Sequence, residues 1–170
     1  KIFLILFFLF QVSSSNSENV NSCLSDSSFQ EINKIQNLNS ISITISNSKK
    51  WMKNIFLIIK NNGWIPNEYK KTHRANINFF FNNGLKCNLK AKIKFHGDNP
   101  DHYIIVDDLN VLSSLNIKLT NSNIDNITEF ILFLPHTRGD DIEIITTNLL
   151  RELGFFAPRT KKIKVKVNGL

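Results

Sequence analysis

Apolar and polar residues alternate in several stretches after residue 40, which is the pattern of β-strands with one buried face. These stretches are 41–46, 114–119, 127–134 and 161–167. Residues 54–60 (NIFLIIK) form a continuous apolar run of strand length, and we expect a further strand there. The pattern therefore predicts a β-rich body.

The strongest local signal is a hairpin around Asn82-Asn83-Gly84, because Asn and Gly accept the positive φ angles of tight turns. Residues 76–81 lead into the turn and 85–96 return from it. On the return strand the apolar residues share one face and the lysines share the other. The lysine row either attracts an anionic ligand or is a solvated face that protects against aggregation.

One helix is predicted over about 140–153. Asp140 and Glu143 have the spacing of a capping box, and Gly154 is a natural terminator. The apolar residues that line one face of this helix are Ile142, Ile145, Leu149 and Leu153. Strands before and after a single main helix indicate an α+β fold.

The N-terminal residues resemble a targeting segment. Residues 2–10 are nine apolar residues behind Lys1, and small residues follow, as in a secretory signal peptide whose start is missing. The alternatives are a buried strand or an N-terminal anchor, since a membrane span needs about 20 residues. We expect a signal peptide at 1–14, a Ser/Asn-rich linker at 15–40 and a folded region at 41–170 that is cut short at its end. The protein would then be exported (periplasmic, cell-surface or extracellular), with no membrane span after cleavage.

Charge and cysteine content narrow the choice of partners. The 170 residues carry a net charge of +7, mostly as lysine rather than the arginine that nucleic-acid contacts favour, so we do not expect nucleic-acid binding. In an oxidising compartment Cys23 and Cys87 either pair or leave Cys87 as a small core residue. Two isolated cysteines do not indicate a metal site.

The loop at 96–103 (HGDNPDHY) concentrates polar side chains. His96, Asp98, Asp101 and His102 are of the types that ligate transition metals. A polar loop tip is the simpler interpretation, and we predict no metal site. The sequence has neither the G-x-S-x-G of a serine hydrolase nor a P-loop.

Three segments resemble, in order, the N-terminal half of the spore coat protein H (CotH) family of secreted kinase-like proteins. They are AKIKFHGDN at 91–99, VLSSLNIKL at 111–119, and a helix, LGFFAPR exit and VKVNG strand end within 140–169. Together they cover about half of the chain. The chain departs from the family at His96-Gly97, where the family has Arg-Gly, and at Leu112 and Ser113, where the family has a lysine pair.

The resemblance implies the β-rich N-lobe of an atypical protein kinase that uses ATP and Mg²⁺ on protein Ser/Thr. The catalytic residues would lie beyond Leu170, so this part alone would be inactive. Within such a lobe, Lys118 would hold the phosphates of ATP, and Glu143 or, in reserve, Glu152 would orient the Lys118 side chain. Arg138 would add a phosphate contact. Whether the full-length protein is an enzyme stays open.

The alternative is a non-catalytic exported module, either a binding module or a cell-surface or coat component of pseudokinase type. Its partner would be a cell-envelope component rather than a protein substrate. Trp51, Trp64 and Tyr69 would suit such a module if they are exposed, although aromatic residues are more often in the core.

Overall fold

The computed structural model describes residues 2–7, 35–61, 63–107 and 110–169. The strands in these ranges are β1 (Ile2–Phe7), β2 (Leu38–Ile45), β3 (His73–Phe81), β4 (Lys86–Phe95), β5 (Tyr103–Asp107), β6 (Asn110–Ser113), β7 (Leu115–Leu119), β8 (Glu129–Phe133) and β9 (Arg159–Val167). The α-helices are α1 (Ser48–Lys60) and α2 (Ile142–Glu152). The predicted α+β fold class is confirmed.

The main sheet closes on itself. Its strand order is β1-β8-β7-β4-β3-β2-β9, and β1 pairs with both β8 and β9. Neighbouring strands are antiparallel except for β2 and β9, which are parallel. Strands β5 and β6 form a separate two-stranded hairpin. Closure gives every strand of the main sheet a hydrogen-bonded neighbour on each side, which shortens the free edges open to another chain.

The core fills the interior of the closed sheet. Alternate side chains point inward, as the period-two patterns require. Among those at most 1% exposed are Ile41, Ile43, Ile77, Phe79, Ile93, Phe95, Ile117 and Leu132. The predicted strands at 41–46, 76–81, 85–96, 114–119, 127–134 and 161–167 are thereby confirmed as β2, β3, β4, β7, β8 and β9.

The strand predicted at 54–60 is wrong, because these residues belong to α1. The Asn47 side chain caps this helix and accepts a hydrogen bond from the Lys50 backbone N–H at 2.9 Å. Trp51, Ile55 and Ile58 follow at helical spacing and are buried in the main core. Apolar residues on the outer face fill the gaps between them, so the helical period is hidden in a continuous run.

Helix α1 covers one end of the closed sheet. The Trp51 ring packs edge-on against His73 at the start of β3, with ring centroids 5.2 Å apart. Asn54 is also buried, and its amide donates to the Tyr69 carbonyl while its oxygen lies 3.2 Å from His73 Nε2. The polar groups of this buried contact therefore have partners.

Helix α2 is confirmed, but its predicted capping box is wrong. The helix begins at Ile142 with Asp141 as its N-cap, and the Asp141 side chain makes no capping hydrogen bond. Asp140 has a φ of 53°, in the left-handed region, and so lies outside the helix. Gly154 has a φ of 82° and ends the helix as predicted.

The orientation of α2 differs from that of α1. The helix packs on the outer surface of the sheet through Ile144, which contacts Ile131 and Phe133 of β8. Its predicted apolar face is turned to solvent, with Ile142 67%, Ile145 65%, Leu149 53% and Leu153 63% exposed. Thr147 is the buried residue of this helix.

The N-terminal predictions meet the structure only in part. Ile2–Phe7, expected within a signal peptide, forms strand β1. Cleavage and export stay predictions. Most of the expected linker, with Cys23, lies outside the described residues, and its last residues from Leu38 onward belong to β2. In the described ranges, no helix is long and apolar enough to cross a membrane.

Candidate functional site

A row of cations crosses the outer face of the main sheet. In the register, Arg74 of β3 lies opposite Lys92 of β4, and Lys92 lies opposite Lys118 of β7. All three side chains are exposed. Like charges directly opposite each other destabilise a sheet, so this alignment carries a stability cost unless an anion neutralises it.

The same face carries further lysines along β4. Lys90 and Lys94 flank Lys92 at alternate positions, which places neighbouring lysine Cα atoms about 7 Å apart. Adjacent strands are about 4.8 Å apart. The resulting grid of positive charge, formed by Arg74, Lys90, Lys92, Lys94 and Lys118, is called the cationic face below.

Amide side chains surround these cations. The Asn88 amide donates to Asn78 Oδ1 at 2.7 Å, and the Asn116 amide donates to Glu129 Oε1 at 3.0 Å. Glu129 lies opposite Lys118 in the register and is the carboxylate aligned with the row. The surface thus combines positive charge with hydrogen-bonding groups and one acidic residue at its margin.

Ion pairs elsewhere do not neutralise the cationic face. Over the part of the chain that the structure describes, the Lys and Arg ion pairs are Lys70–Asp98, Arg159–Asp125 and Lys162–Asp141. None of them uses a member of the cationic face. Its five charges are consequently available to an anion from solution.

The residues predicted from the kinase-like resemblance lie on different elements. Lys118 lies on β7, whereas Glu143 and Glu152 lie on α2, which packs against β8 and β9. Among the described residues, no ion pair joins Lys118 to either carboxylate. The nearest acidic residue in the register is Glu129. The pairing of Lys118 with a helix glutamate stays a prediction.

Arg138 lies in a short 3-10 turn, Pro135–Arg138, just before α2. Its guanidinium carbon stacks over the Phe133 ring at 4.1 Å from the centroid. Its Nε is buried and has no hydrogen-bond partner. The phosphate contact predicted for Arg138 would therefore use the remaining guanidinium N–H groups.

The loop after β4 brings two histidines together. The His96 and His102 rings meet edge-on at 5.8 Å, and His96 lies 5.0 Å from the Phe133 ring. Gly97 between them has a φ of 101°, and a Cβ there would lie 2.0 Å from His102 Cγ. Glycine is therefore required for this close approach.

These histidines are neutral near pH 7. Burial, with neighbouring His102 and Arg138, lowers the pKa of His96 to about 4. Burial also lowers the pKa of His102. Around them, the side chain of Lys70 forms an ion pair with Asp98 and lowers the pKa of that carboxyl.

Ser114, His102 and Asp101 form a sequence of contacts that superficially resembles a catalytic triad. His102 Nδ1 lies 3.1 Å from Ser114 Oγ, and His102 Nε2 lies 3.9 Å from Asp101 Oδ1. Ser114 is 0% exposed, however, and its hydroxyl also accepts a hydrogen bond from the Leu134 N–H. The contacts of this hydroxyl link the loop at His102 to the backbone that follows β8.

Possible metal ligands and the cysteines both bear on the site. Within the described ranges, no group of three or more His, Cys, Asp or Glu side chains is arranged to hold a metal ion. Cys87 is disulfide-bonded, and Cys23, the other cysteine in the sequence, lies outside the described residues.

Of the three aromatic residues considered for a binding module, Trp51 is buried, Tyr69 is half-buried and Trp64 is 66% exposed.

Sequence reasoning identified the lysines of β4 but missed their alignment with Arg74 and Lys118. That alignment depends on strand register, which no local pattern contains.

Comparison with known proteins adds no relative: no family model matches the sequence, no curated protein matches it, and no solved structure matches it.

Proposed function

We propose that this chain is a non-catalytic binding module and that the cationic face binds an acidic polymer of the cell envelope. The observation that supports this most directly is the alignment of Arg74, Lys92 and Lys118 across three adjacent strands without a carboxylate between them. A repeating anion relieves the repulsion within this row. Lysine suits the task because its single charge on a flexible stem does not demand a fixed acceptor geometry.

The spacing of the cations favours an extended ligand over a single small anion. Charges repeat about every 5 Å across the strands and about every 7 Å along β4. A flexible chain with a carboxylate or phosphate on successive units can meet several of them together. The amides of Asn78, Asn88 and Asn116 add donors for neutral hydroxyl groups.

The test measures binding to dextran sulfate, with neutral dextran as the uncharged comparison. We expect binding that weakens as salt rises, because exposed charges are screened. The variant Lys92→Gln/Lys118→Gln should lose about tenfold or more in affinity, whereas Lys164→Gln/Lys166→Gln on β9 should stay within about twofold, since each lost surface contact is worth about 1 kcal/mol.

Two outcomes contradict this proposal. If both double variants lose affinity equally, then binding follows overall charge and not the cationic face. If the protein binds a DNA duplex more tightly than dextran sulfate, then the class of partner is wrong.

The kinase-like function is a second proposal. It is favoured by the order β8, α2, β9, with α2 packed on the outer side of the sheet on which Lys118 also lies. ATP and Mg²⁺ would be held with the help of Lys118, Arg138 and a helix glutamate. The test is phosphate transfer from labelled ATP to protein Ser/Thr by the complete protein. Activity that Lys118→Ala abolishes supports this function, and no incorporation contradicts it.

A further inference from the structure

The outer face of α1 combines exposed apolar side chains with lysines. It forms a shallow groove of about 490 Å³ lined by Lys49, Met52, Lys53, Phe56, Leu57 and Lys60. Phe56 is 46% exposed and Leu57 is 40% exposed, although the opposite face of the helix is buried in the core. The helix therefore presents a second apolar surface that the rest of the described chain does not cover.

The charge on this helix has one sign. Its sequence, SKKWMKNIFLIIK, contains four lysines and no acidic residue. Lys49, Lys50 and Lys53 lie in the first half of the helix, and Lys60 is its last residue. Three of them, Lys49, Lys53 and Lys60, line the groove together with the apolar side chains. Lysine side chains in this position can lay their methylene stems along an apolar surface while the ammonium groups reach an anionic layer above it.

Trp64 follows the helix by four residues and is a further exposed aromatic side chain. It is 66% exposed, and the Asn61 amide donates to its backbone carbonyl at 2.9 Å. The next residue, Ile65, is buried, and its N–H donates to the Asp98 carbonyl at 2.7 Å. Trp64 is thus held in place by its neighbours while its own ring stays in solvent.

We propose that the outer face of α1, together with Trp64, binds the surface of an anionic lipid bilayer. A helix with lysines beside Phe, Leu and Trp lies in the plane of such an interface, where the apolar side chains enter the boundary of the acyl chains and the ammonium groups meet the phosphates. Tryptophan favours this interfacial depth. Charge complementarity identifies the bilayer as anionic, because the lysines beside the apolar side chains would gain nothing from a purely apolar partner.

Helix α2 provides the contrast that makes the assignment specific. Its apolar stripe is more exposed than that of α1, but Asp141, Glu143 and Glu152 accompany it. Carboxylates repel an anionic bilayer, so we expect α2 to stay in water. The cationic face has positive charge without apolar side chains, so it lacks the inserting component.

The test compares vesicles of phosphatidylcholine alone with vesicles of phosphatidylcholine and phosphatidylglycerol in equal parts. We expect the protein to sediment with the mixed vesicles only, with a blue shift of Trp64 emission and quenching by brominated lipid. Trp51 is buried at 3% exposure and should contribute no change. Each lysine near the surface contributes a factor of about five, so Lys49→Gln/Lys53→Gln should bind about 25-fold more weakly.

Three matched variants decide the outcome. Phe56→Ser/Leu57→Ser should also lose binding, while Ile145→Ser/Leu149→Ser in α2 and Lys164→Gln/Lys166→Gln in β9 should keep it. Thermal unfolding checks that every variant is folded. The proposal is overturned if neutral vesicles bind equally well, if the α2 variant loses as much binding as the α1 variant, or if no vesicle is bound. If no vesicle is bound but an acidic peptide binds at the groove, then the partner is a protein and not a bilayer.

Discussion

The two helices have similar amphipathic sequences but relate to the sheet in opposite ways. Helix α1 buries Trp51, Ile55 and Ile58 in the main core, whereas α2 buries Thr147 and turns its apolar stripe to solvent. An amphipathic period identifies a helix and its apolar face. Whether that face is buried depends on what the rest of the chain places against it.

The contacts below each helix explain the difference. Helix α1 covers an end of the sheet, where the apolar interior would otherwise be open to water. Helix α2 lies on the outer surface, where it meets Ile131, Phe133 and Thr160. The hydrophobic gain from burial is therefore concentrated at α1.

The largest expected effect contrasts equivalent truncations in the two helices. Ile55 is 1% exposed and Ile145 is 65% exposed. Ile55→Ala should lower the free energy of unfolding by about 2–5 kcal/mol, because it leaves a cavity in the core. Ile145→Ala should stay within about 0.5 kcal/mol of the parent. Urea unfolding measures both, and equal losses would show that α2 is buried in solution.

Acidification should destabilise the fold through histidines that are held neutral. Burial lowers the pKa of His73 beside α1, and the pKa of His96 near Phe133 is lowered to about 4. Below about pH 6.5 the unfolded chain binds protons that these folded side chains do not, so stability falls as pH decreases. For His96 the loss continues until about pH 4.

Urea unfolding at about pH 7.5 and about pH 5 measures this loss. His96→Gln should flatten the profile more than Lys94→Gln, which alters an exposed residue two positions earlier, on β4. His73→Gln removes the contribution made beside α1. Stability that is constant across this range would contradict the neutral, buried state of both histidines.

A smaller effect is expected at the polar contact that anchors α2. The Thr147 hydroxyl donates to the Glu143 carbonyl at 2.7 Å and contacts the Thr160 hydroxyl of β9. Thr147→Val should cost about 1–3 kcal/mol, because it leaves the Thr160 hydroxyl buried without this partner. Thr146→Val, one residue away and exposed, is the control. Thr147→Val/Thr160→Val should recover much of the loss in a double-mutant cycle.

The smallest effect separates the two helix starts. Asn47 caps α1 through a side-chain hydrogen bond, whereas Asp141 of α2 makes none and instead forms an exposed ion pair with Lys162. Asn47→Ala should cost about 1 kcal/mol. Asp141→Ala should cost about 0.5 kcal/mol or less, and that cost should vanish at high salt. A larger cost at Asp141 would mean that the cap forms in solution.

The strands could be predicted where their signal is local. The buried and exposed side chains alternate along all of β4 and from Lys162 to Val167 in β9, so the sequence contains the pattern directly. Strand β5 has three consecutive exposed apolar residues, Ile104, Ile105 and Val106, and so shows no alternation. Helix α1 was missed because apolar residues on two faces merge into one run.

The candidate site was predictable in its components but not in its arrangement. The lysines of β4 were assigned to an exposed face from sequence alone. Their alignment with Arg74 and Lys118 depends on two strand registers, and a shift of one residue would turn either strand's set inward. The proximity of His102 to Ser114 likewise depends on strand register, because Tyr103 of β5 lies opposite Ser113 of β6.

The parallel pairing of β2 with β9 has a consequence for synthesis of the protein. The Ile45 N–H donates to Asn168 Oδ1 across a separation of 123 residues along the chain. At about 5–20 residues per second, roughly 6–25 s pass between synthesis of β2 and synthesis of its parallel partner β9. During that interval an apolar strand has an unpaired edge, so Leu38–Ile45 is where we expect a chaperone to bind the growing chain.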